Sequence, residues 1–208
     1  MTNRQPRGVP TGGQFAESRR NNGPDLSASP SRLSHTGEIT VTINNRTYRI
    51  APHQNLIDAY LRRAELDHAN LDGADLLNAD LFGASVQKAN LRNATARYAK
   101  LNHANLRHSI LRGANFYAAD LSDANLSNTD AQQVIFDGAD LSRAYLRGAN
   151  LRGANVKDTN FSGTILYGVD LRDSNLASAR NIRAAKADHH TQVPEGWVVR
   201  DGTIALAA

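Results

Sequence analysis

Along the middle of the chain an apolar residue returns at every fifth position. Taking that position as i, it runs Leu61, Leu66, Leu71 and onward to Leu176, 24 times without an insertion. Seventeen of these residues are Leu, three are Phe (Phe116, Phe136, Phe161), two are Val and two are Ala. Position i−2 holds 17 Ala, with three Thr, two Ser and two Val for the remainder. The residue between them is mostly Asn or Asp, and i+1 and i+2 are polar or Gly, as in Ala149-Asn150-Leu151-Arg152-Gly153.

A period of five fits neither regular element. Five helical steps turn about 500°, so successive Leu would spiral around every face. On a long strand an odd period would send alternate Leu to opposite faces. The pattern fits a very short extended segment followed by a bend, with i−2 and i pointing inward and i+1 and i+2 forming a corner. Gly at many i+2 sites, Gly73, Gly113 and Gly153 among them, supplies the backbone freedom a corner needs.

The flanks follow other patterns. Residues 39–50, ITVTINNRTYRI, alternate around Asn44-Asn45, a pair that tolerates positive φ and predicts a hairpin. Near the C-terminus, GWVVRDGTIALA places two apolar segments around Asp201-Gly202, a second hairpin signal. Residues 1–37 are rich in Gly, Ser, Pro, Asn and Arg with no apolar periodicity, which predicts a disordered arm. The expected organisation is an arm over 1–37, a hairpin cap over 38–58, the repeat over 59–178, and a linker with a second hairpin cap over 179–208.

The spelling AxLxx, with Asn or Asp before the Leu, resembles the signature of pentapeptide-repeat proteins. The resemblance implies an all-β fold, a right-handed quadrilateral β-helix with four units per coil and about six coils. At an inter-strand spacing of ~4.8 Å this is a rod on the order of 29 Å long. The segment RGVPTGGQFA in the arm resembles an element on proteins of actinobacteria and their phages. Four units per coil also stack every twentieth residue into columns. One column reads Leu76, Ala96, Phe116, Phe136, Val156, Leu176, a small residue beneath two rings, and Ala131 is flanked by the larger Thr129 and Val134. Such compensation is what a close-packed interior requires.

Composition narrows the function. No Cys is present, which excludes disulfides and thiolate chemistry and fits a reducing, cytoplasmic setting. No apolar run approaches the roughly 18 residues of a membrane span. The net charge is +4, but the repeat holds 13 bases and 13 acids, whereas residues 1–37 hold five Arg against two acids. The body is neutral and the excess sits mainly in the arm.

No motif for an enzyme, a cofactor or a metal emerges. Asp80, Asp120 and Asp140 share a column, but Asn and Asp occupy that position throughout, which marks a role in bonding the backbone at the bend. His68 and His108 share a column with Lys88 between them, His103 lies one unit before His108, and His189-His190 lies outside the repeat. All read as surface residues, since zinc wants three or four convergent ligands. Gly12-Gly13 precedes no helix pattern.

The surface columns point to an interaction protein. Arg92, Arg112, Arg152 and Arg172 stack at i+1 on one edge, and Arg107 and Arg147 stack on the edge before it, a candidate interaction stripe. Asp80, Asp120, Asp123 and Asp140 gather on a further face, so the reading is of one basic and one acidic edge. The expected function is a non-enzymatic scaffold whose partner is another protein, as a monomer or an end-to-end dimer without membrane attachment. The family resemblance implies an alternative, a DNA-mimicking protector of gyrase, to which a neutral repeat is poorly suited. Direct nucleic-acid binding through the Arg stripe is the other. Exposed aromatics for base stacking are few: Phe82, Tyr98, Tyr117 and Tyr167.

Overall fold

The computed structural model describes residues 38–207, so the N-terminal arm and its RGVPTGGQFA element lie outside the described residues. Within the repeat, each i−1 residue forms a parallel bridge with the residue twenty positions on. One ladder runs Tyr60, Asp80, Lys100, Asp120, Asp140, Asn160. Four such ladders make four flat faces. They are numbered here in chain order: face 1 is centred on Leu61 and its successors, face 2 on Leu66, face 3 on Leu71 and face 4 on Leu76.

Three backbone bonds per unit tie neighbouring coils. In one unit and its neighbour, Leu61 N–H donates to Asp80 O (2.7 Å), Arg63 N–H to Phe82 O (2.8 Å) and Asp80 N–H to Ala59 O (2.9 Å). A fourth bond, Ala64 N–H to Leu61 O at 3.1 Å, closes the corner. Every i+2 residue from His53 to Asp173 has positive φ, as the third residue of a type II turn requires. Glycine fills only eight of these sites. The others include Arg63, Tyr98 and Ala118, with φ between 53° and 57°. Left-handed backbone costs a non-glycine residue about 1 kcal/mol. The inter-coil bond from the same residue's N–H holds it there, so the corner is imposed by the stack rather than by glycine alone.

The Asn and Asp at i−1 complete the corner from the side. Asp80 Oδ1 accepts from Phe82 N–H (3.1 Å), Asn115 Oδ1 from Tyr117 N–H (2.9 Å) and Asn150 Oδ1 from Arg152 N–H (3.1 Å). These are Asx-turns, the backbone role expected for that position.

The interior follows the inward columns. Leu106 and Ala104 are buried, whereas Arg107 and His108 are exposed. Phe116 and Phe136 stack with centroids 5.6 Å apart, next to the small Ala96 in their column. Where Ala at i−2 gives way to a hydroxyl, the hydroxyl finds a carbonyl: Ser109 Oγ donates to Val86 O (2.6 Å) and Thr159 Oγ1 to Phe136 O (2.7 Å). No buried hydroxyl in these columns is left to compete with the packing.

The ladder extends past both ends of the regular spelling. It starts at Ala51 and Leu56, which occupy central positions although Gln54 hides the motif, and Asn55 bridges Asp75. Beyond the last unit the bridges continue as Asn160 to Arg180, Ile165 to Lys186 and Asp170 to Gln192. The spacing is still 20 residues at Arg180 and lengthens to 21 at Lys186 and 22 at Gln192, as the 3-10 turn at Ile182–Ala184 and the segment after Lys186 each take up an extra residue. Asn175 Oδ1 accepts Val156 N–H at 2.6 Å, a side chain standing in for a ladder carbonyl. In this loosened coil, burial works against the charged form of Asp188. Hydrogen bonds from Gly168, Thr191 and His190 outweigh it and hold the carboxyl below its usual range.

Antiparallel hairpins cover both ends. Strands β1 (Ile39–Ile43) and β2 (Arg46–Ile50) join through Asn44 and Asn45, both at positive φ, and bury Ile39, Val41 and Ile50 against the first coil. Strands β3 (Trp197–Arg200) and β4 (Thr203–Leu206) join through Asp201 and Gly202, also at positive φ. Trp197 packs partly buried against the core, and Ile204 is the fully buried contact. At the N-terminal end the first coil has no coil beneath it to accept the N–H of Tyr60. The Tyr48 hydroxyl of β2 accepts that bond at 3.1 Å. Tyr48→Phe is expected to leave the N–H unsatisfied at a cost of about 1–2 kcal/mol. A thermal melt should register this as a Tm lower by roughly 2–6 °C.

Candidate interaction surface

The stripe residues occupy two corners. Arg92, Arg112, Arg152 and Arg172 project where face 3 meets face 4, and Arg107 and Arg147 where face 2 meets face 3, all six exposed. Lys88 shares the second corner and is also exposed. The structure splits the stripe by pairing. Arg112 Nε bonds Asp130 at 2.6 Å, Arg152 Nε bonds Asp173 at 2.7 Å, and Arg172 bonds Asp170 at 2.7 Å. The side-chain bond to Arg172 holds the Asp170 carboxyl below its usual range. Among the described residues, Arg92, Arg107 and Arg147 form no ion pair.

The acidic face is neutralised in the same way. On face 1 and its following corner, Asp80, Asp120, Asp123 and Asp140 are matched by Arg62, Arg63, Lys100 and Arg143. Arg62 bonds Asp80 at 3.2 Å, and Arg143 grips Asp123 through two bonds of 2.9 and 2.7 Å. Its side-chain bond to Arg143 holds the Asp123 carboxyl low. The acidic edge read from single columns therefore carries no excess charge. Reading one column at a time missed the carboxylates on the neighbouring face position. A spacing of 18 residues, as in Arg62 and Asp80 or Arg112 and Asp130, is the signal that joins a corner Arg to the Asp one coil on.

The stacked carboxylates take the bend-bonding role expected for their position: Asp120 and Asp140 accept the backbone N–H groups of Ser122 and Ser142 at 3.0 and 2.9 Å. His68, His103 and His108 are exposed at corners, and His103 meets the edge of Phe82 with centroids 5.4 Å apart. Among the described residues no group of His, Asp or Glu is arranged to hold a metal ion. No helix there is long and apolar enough to cross a membrane. Of the aromatics picked from the sequence, Tyr98 and Tyr117 are exposed where face 4 meets face 1, with the Arg97 guanidinium 5.7 and 5.5 Å from their rings, whereas Phe82 and Tyr167 are half-buried, Tyr167 at the corner where face 2 meets face 3. Tyr145, 53 % exposed on face 2, was not among the aromatics picked from the sequence. It sits at i−1, where Asn or Asp is usual.

Twenty-residue coils, inward Leu and Ala, and hydrogen-bonded corners define a β-solenoid of pentapeptide units. The family model described as pentapeptide repeats (8 copies) matches residues 59–95, 99–138 and 139–177, more than half of the chain. The chain belongs to the pentapeptide-repeat family, and its fold is the right-handed quadrilateral β-helix. Proteins of this family are generally non-enzymatic structural scaffolds. Solved structures similar to it include HetL, a pentapeptide repeat protein involved in heterocyst differentiation regulation from the cyanobacterium Nostoc. HetL is 27% identical over 76% of this chain and 82% of its own, with a TM-score of 0.40. A pentapeptide repeat protein of the Arabidopsis thaliana thylakoid lumen is 32% identical over 50% of this chain and 70% of its own, with a TM-score of 0.35. QnrB1, a plasmid-mediated fluoroquinolone resistance protein, is 16% identical over 67% of this chain and 92% of its own, with a TM-score of 0.34. No curated protein matches the chain.

Proposed function

We propose that the protein is a non-enzymatic interaction scaffold, a rigid rod that engages another macromolecule through its side faces. The observation behind this reading is the division of roles within each unit. Positions i−2 and i are buried from coil to coil, and the outward positions form flat, hydrogen-bonded faces bearing charge. Arg92, Arg107, Arg112, Arg147, Arg152 and Arg172 are the contact edge in this reading, and the absence of Cys fits work in the reducing cytoplasm.

Imitation of duplex DNA toward gyrase is the weaker reading, because it calls for a continuous acidic face and the carboxylates of face 1 are matched by cations. The test is capture and cross-linking with the immobilised full chain, beside a variant carrying Arg→Gln at all six positions. The i+1 side chains are outside the core, so the variant should melt as the parent does while losing the captured macromolecule. A variant that retains everything the parent captures would refute the contact edge. In a parallel supercoiling assay the protein is expected not to spare gyrase from a fluoroquinolone, and a protective titration would restore the DNA-mimic reading.

A further inference from the structure

The charges around face 3 are unevenly placed. Between Gln87 and Gly153, the face and its two bounding corners carry Lys88, Arg92, Arg107, Arg112, Arg147 and Arg152 against one carboxylate, Asp130. Asp67 and Asp72 lie on the coil before this region, and Asp170 and Asp173 on the coil after it, so the excess is confined to the middle of the rod. Four of the six cations, Lys88, Arg92, Arg107 and Arg147, form no ion pair among the described residues.

The cations stand in two rows, one on each edge of the face. Three extended residues separate the corners, which places the rows on the order of 10 Å apart. Each row rises in steps of one coil, ~4.8 Å. Between the rows lie Asn90, Ile110, Asp130 and Asn150, with the Oδ1 atoms of Asn90 and Asn150 committed to the N–H groups of Arg92 and Arg152.

Resting on the scaffold reading above, we infer that face 3 binds the phosphate backbone of duplex nucleic acid without reading its sequence. The core of a protein interface is enriched in aromatic residues and depleted of charge, and face 3 offers one half-buried apolar side chain there, Ile110. The exposed large apolar residues Ile57, Tyr98, Tyr117, Tyr145 and Leu206 all lie elsewhere. Phosphate recognition needs only exposed cations and hydrogen-bond donors, which face 3 supplies. Single strands are held largely by bases stacked on aromatic rings, and none stands between the two rows. The row separation is comparable to the ~12 Å major groove, so each row has a strand to follow. The five Arg of residues 1–37 add positive charge to the same chain.

The experiment is fluorescence anisotropy of a short mixed-sequence DNA duplex with the full chain across a salt series. Binding is expected to weaken with a log–log slope of roughly −4, about −0.9 for each of the four unpaired cations. Replacing Lys88, Arg92, Arg107 and Arg147 by Gln should cut affinity at least tenfold and flatten the slope by several units, with an unchanged melt. Replacing Arg62, Arg63, Lys100 and Arg143 on face 1 should do neither. Absent binding at low salt, equal losses from both variants, or tighter binding of the matching single strand would each overturn the inference. Equal binding of polyglutamate would overturn it in favour of an acidic protein. Those results leave the scaffold reading standing if cross-linking still captures a partner. Capture of no protein, with the duplex still bound, would leave the scaffold reading in place with the duplex as its partner and would remove the expectation of a protein partner.

Discussion

Leu106→Asp is expected to abolish folding. Leu106 is fully buried at the centre of face 2, with Val86 and Leu126 one coil away on either side, and its N–H donates to Asn125 O at 2.7 Å. A carboxylate there would stand in a column of aliphatic side chains with no cation in reach. Burying an unpaired charge costs several kcal/mol even after it takes up a proton. Loss of the Leu contacts adds a few kcal/mol more. The sum is on the order of the whole stability of a domain of this size. Because each coil is the template for the next, the defect cannot be isolated on one side of the rod. Far-UV circular dichroism should show loss of the β signal at room temperature. The control is Arg107→Asp, one residue further on and exposed, which should move stability by about 0.5 kcal/mol or less. Native melting of Leu106→Asp would contradict the inward assignment of the central column.

Removing residues 194–208 is the second large effect. This cut spares Gln192, whose backbone bonds Val169 and Leu171 and so belongs to the ladder. It removes β3 and β4, the fully buried Ile204, the packing of Trp197 and Val199, and the Ala187 N–H bond to Gly202 O at 2.8 Å. At about 1.5–3 kcal/mol for each large apolar side chain withdrawn from water, the loss is on the order of 5 kcal/mol. Ile182, Ala185 and Ala187 would then face solvent beside unpaired backbone, a template for a second copy. Light scattering behind a sizing column should show concentration-dependent self-association, with a lower melting point. A truncated chain that stays monomeric and equally stable would show that the hairpin is an appendage and not a cap.

The AxLxx spelling determined the solenoid by itself. A period of five with paired apolar positions calls for short extended segments joined by bends, with Leu and Ala at i and i−2 inward, and the resemblance to pentapeptide-repeat proteins implied four such units per coil. The hairpins were legible for the same local reason, since Asn44-Asn45 and Asp201-Gly202 are residues that accept positive φ. The corners were legible only in part. Gly153 announces its conformation, but Tyr98 and Arg63 adopt the same one because the next coil offers their N–H groups a carbonyl. That partner lies 19 residues away and exists only once the stack has formed. The added turns of ladder at the C-terminus escaped the periodicity because extra residues enter between Arg180 and Gln192, at Ile182–Ala184 and after Lys186, while the backbone ladder tolerates them.

Charge was the property that tertiary structure decided. Counted along columns, Arg112, Arg152 and Arg172 belonged to a basic edge and Asp80, Asp120 and Asp140 to an acidic one. The fold sets Asp130, Asp173 and Asp170 against those Arg and Arg62 against Asp80. The uncompensated charge is left on Lys88, Arg92, Arg107 and Arg147 around one face. A sequence displays how many charges it has. Which of them stand within a few ångströms of an opposite charge depends on coil-to-coil stacking and on which way a corner turns its side chain, and both are set only when the backbone closes on itself.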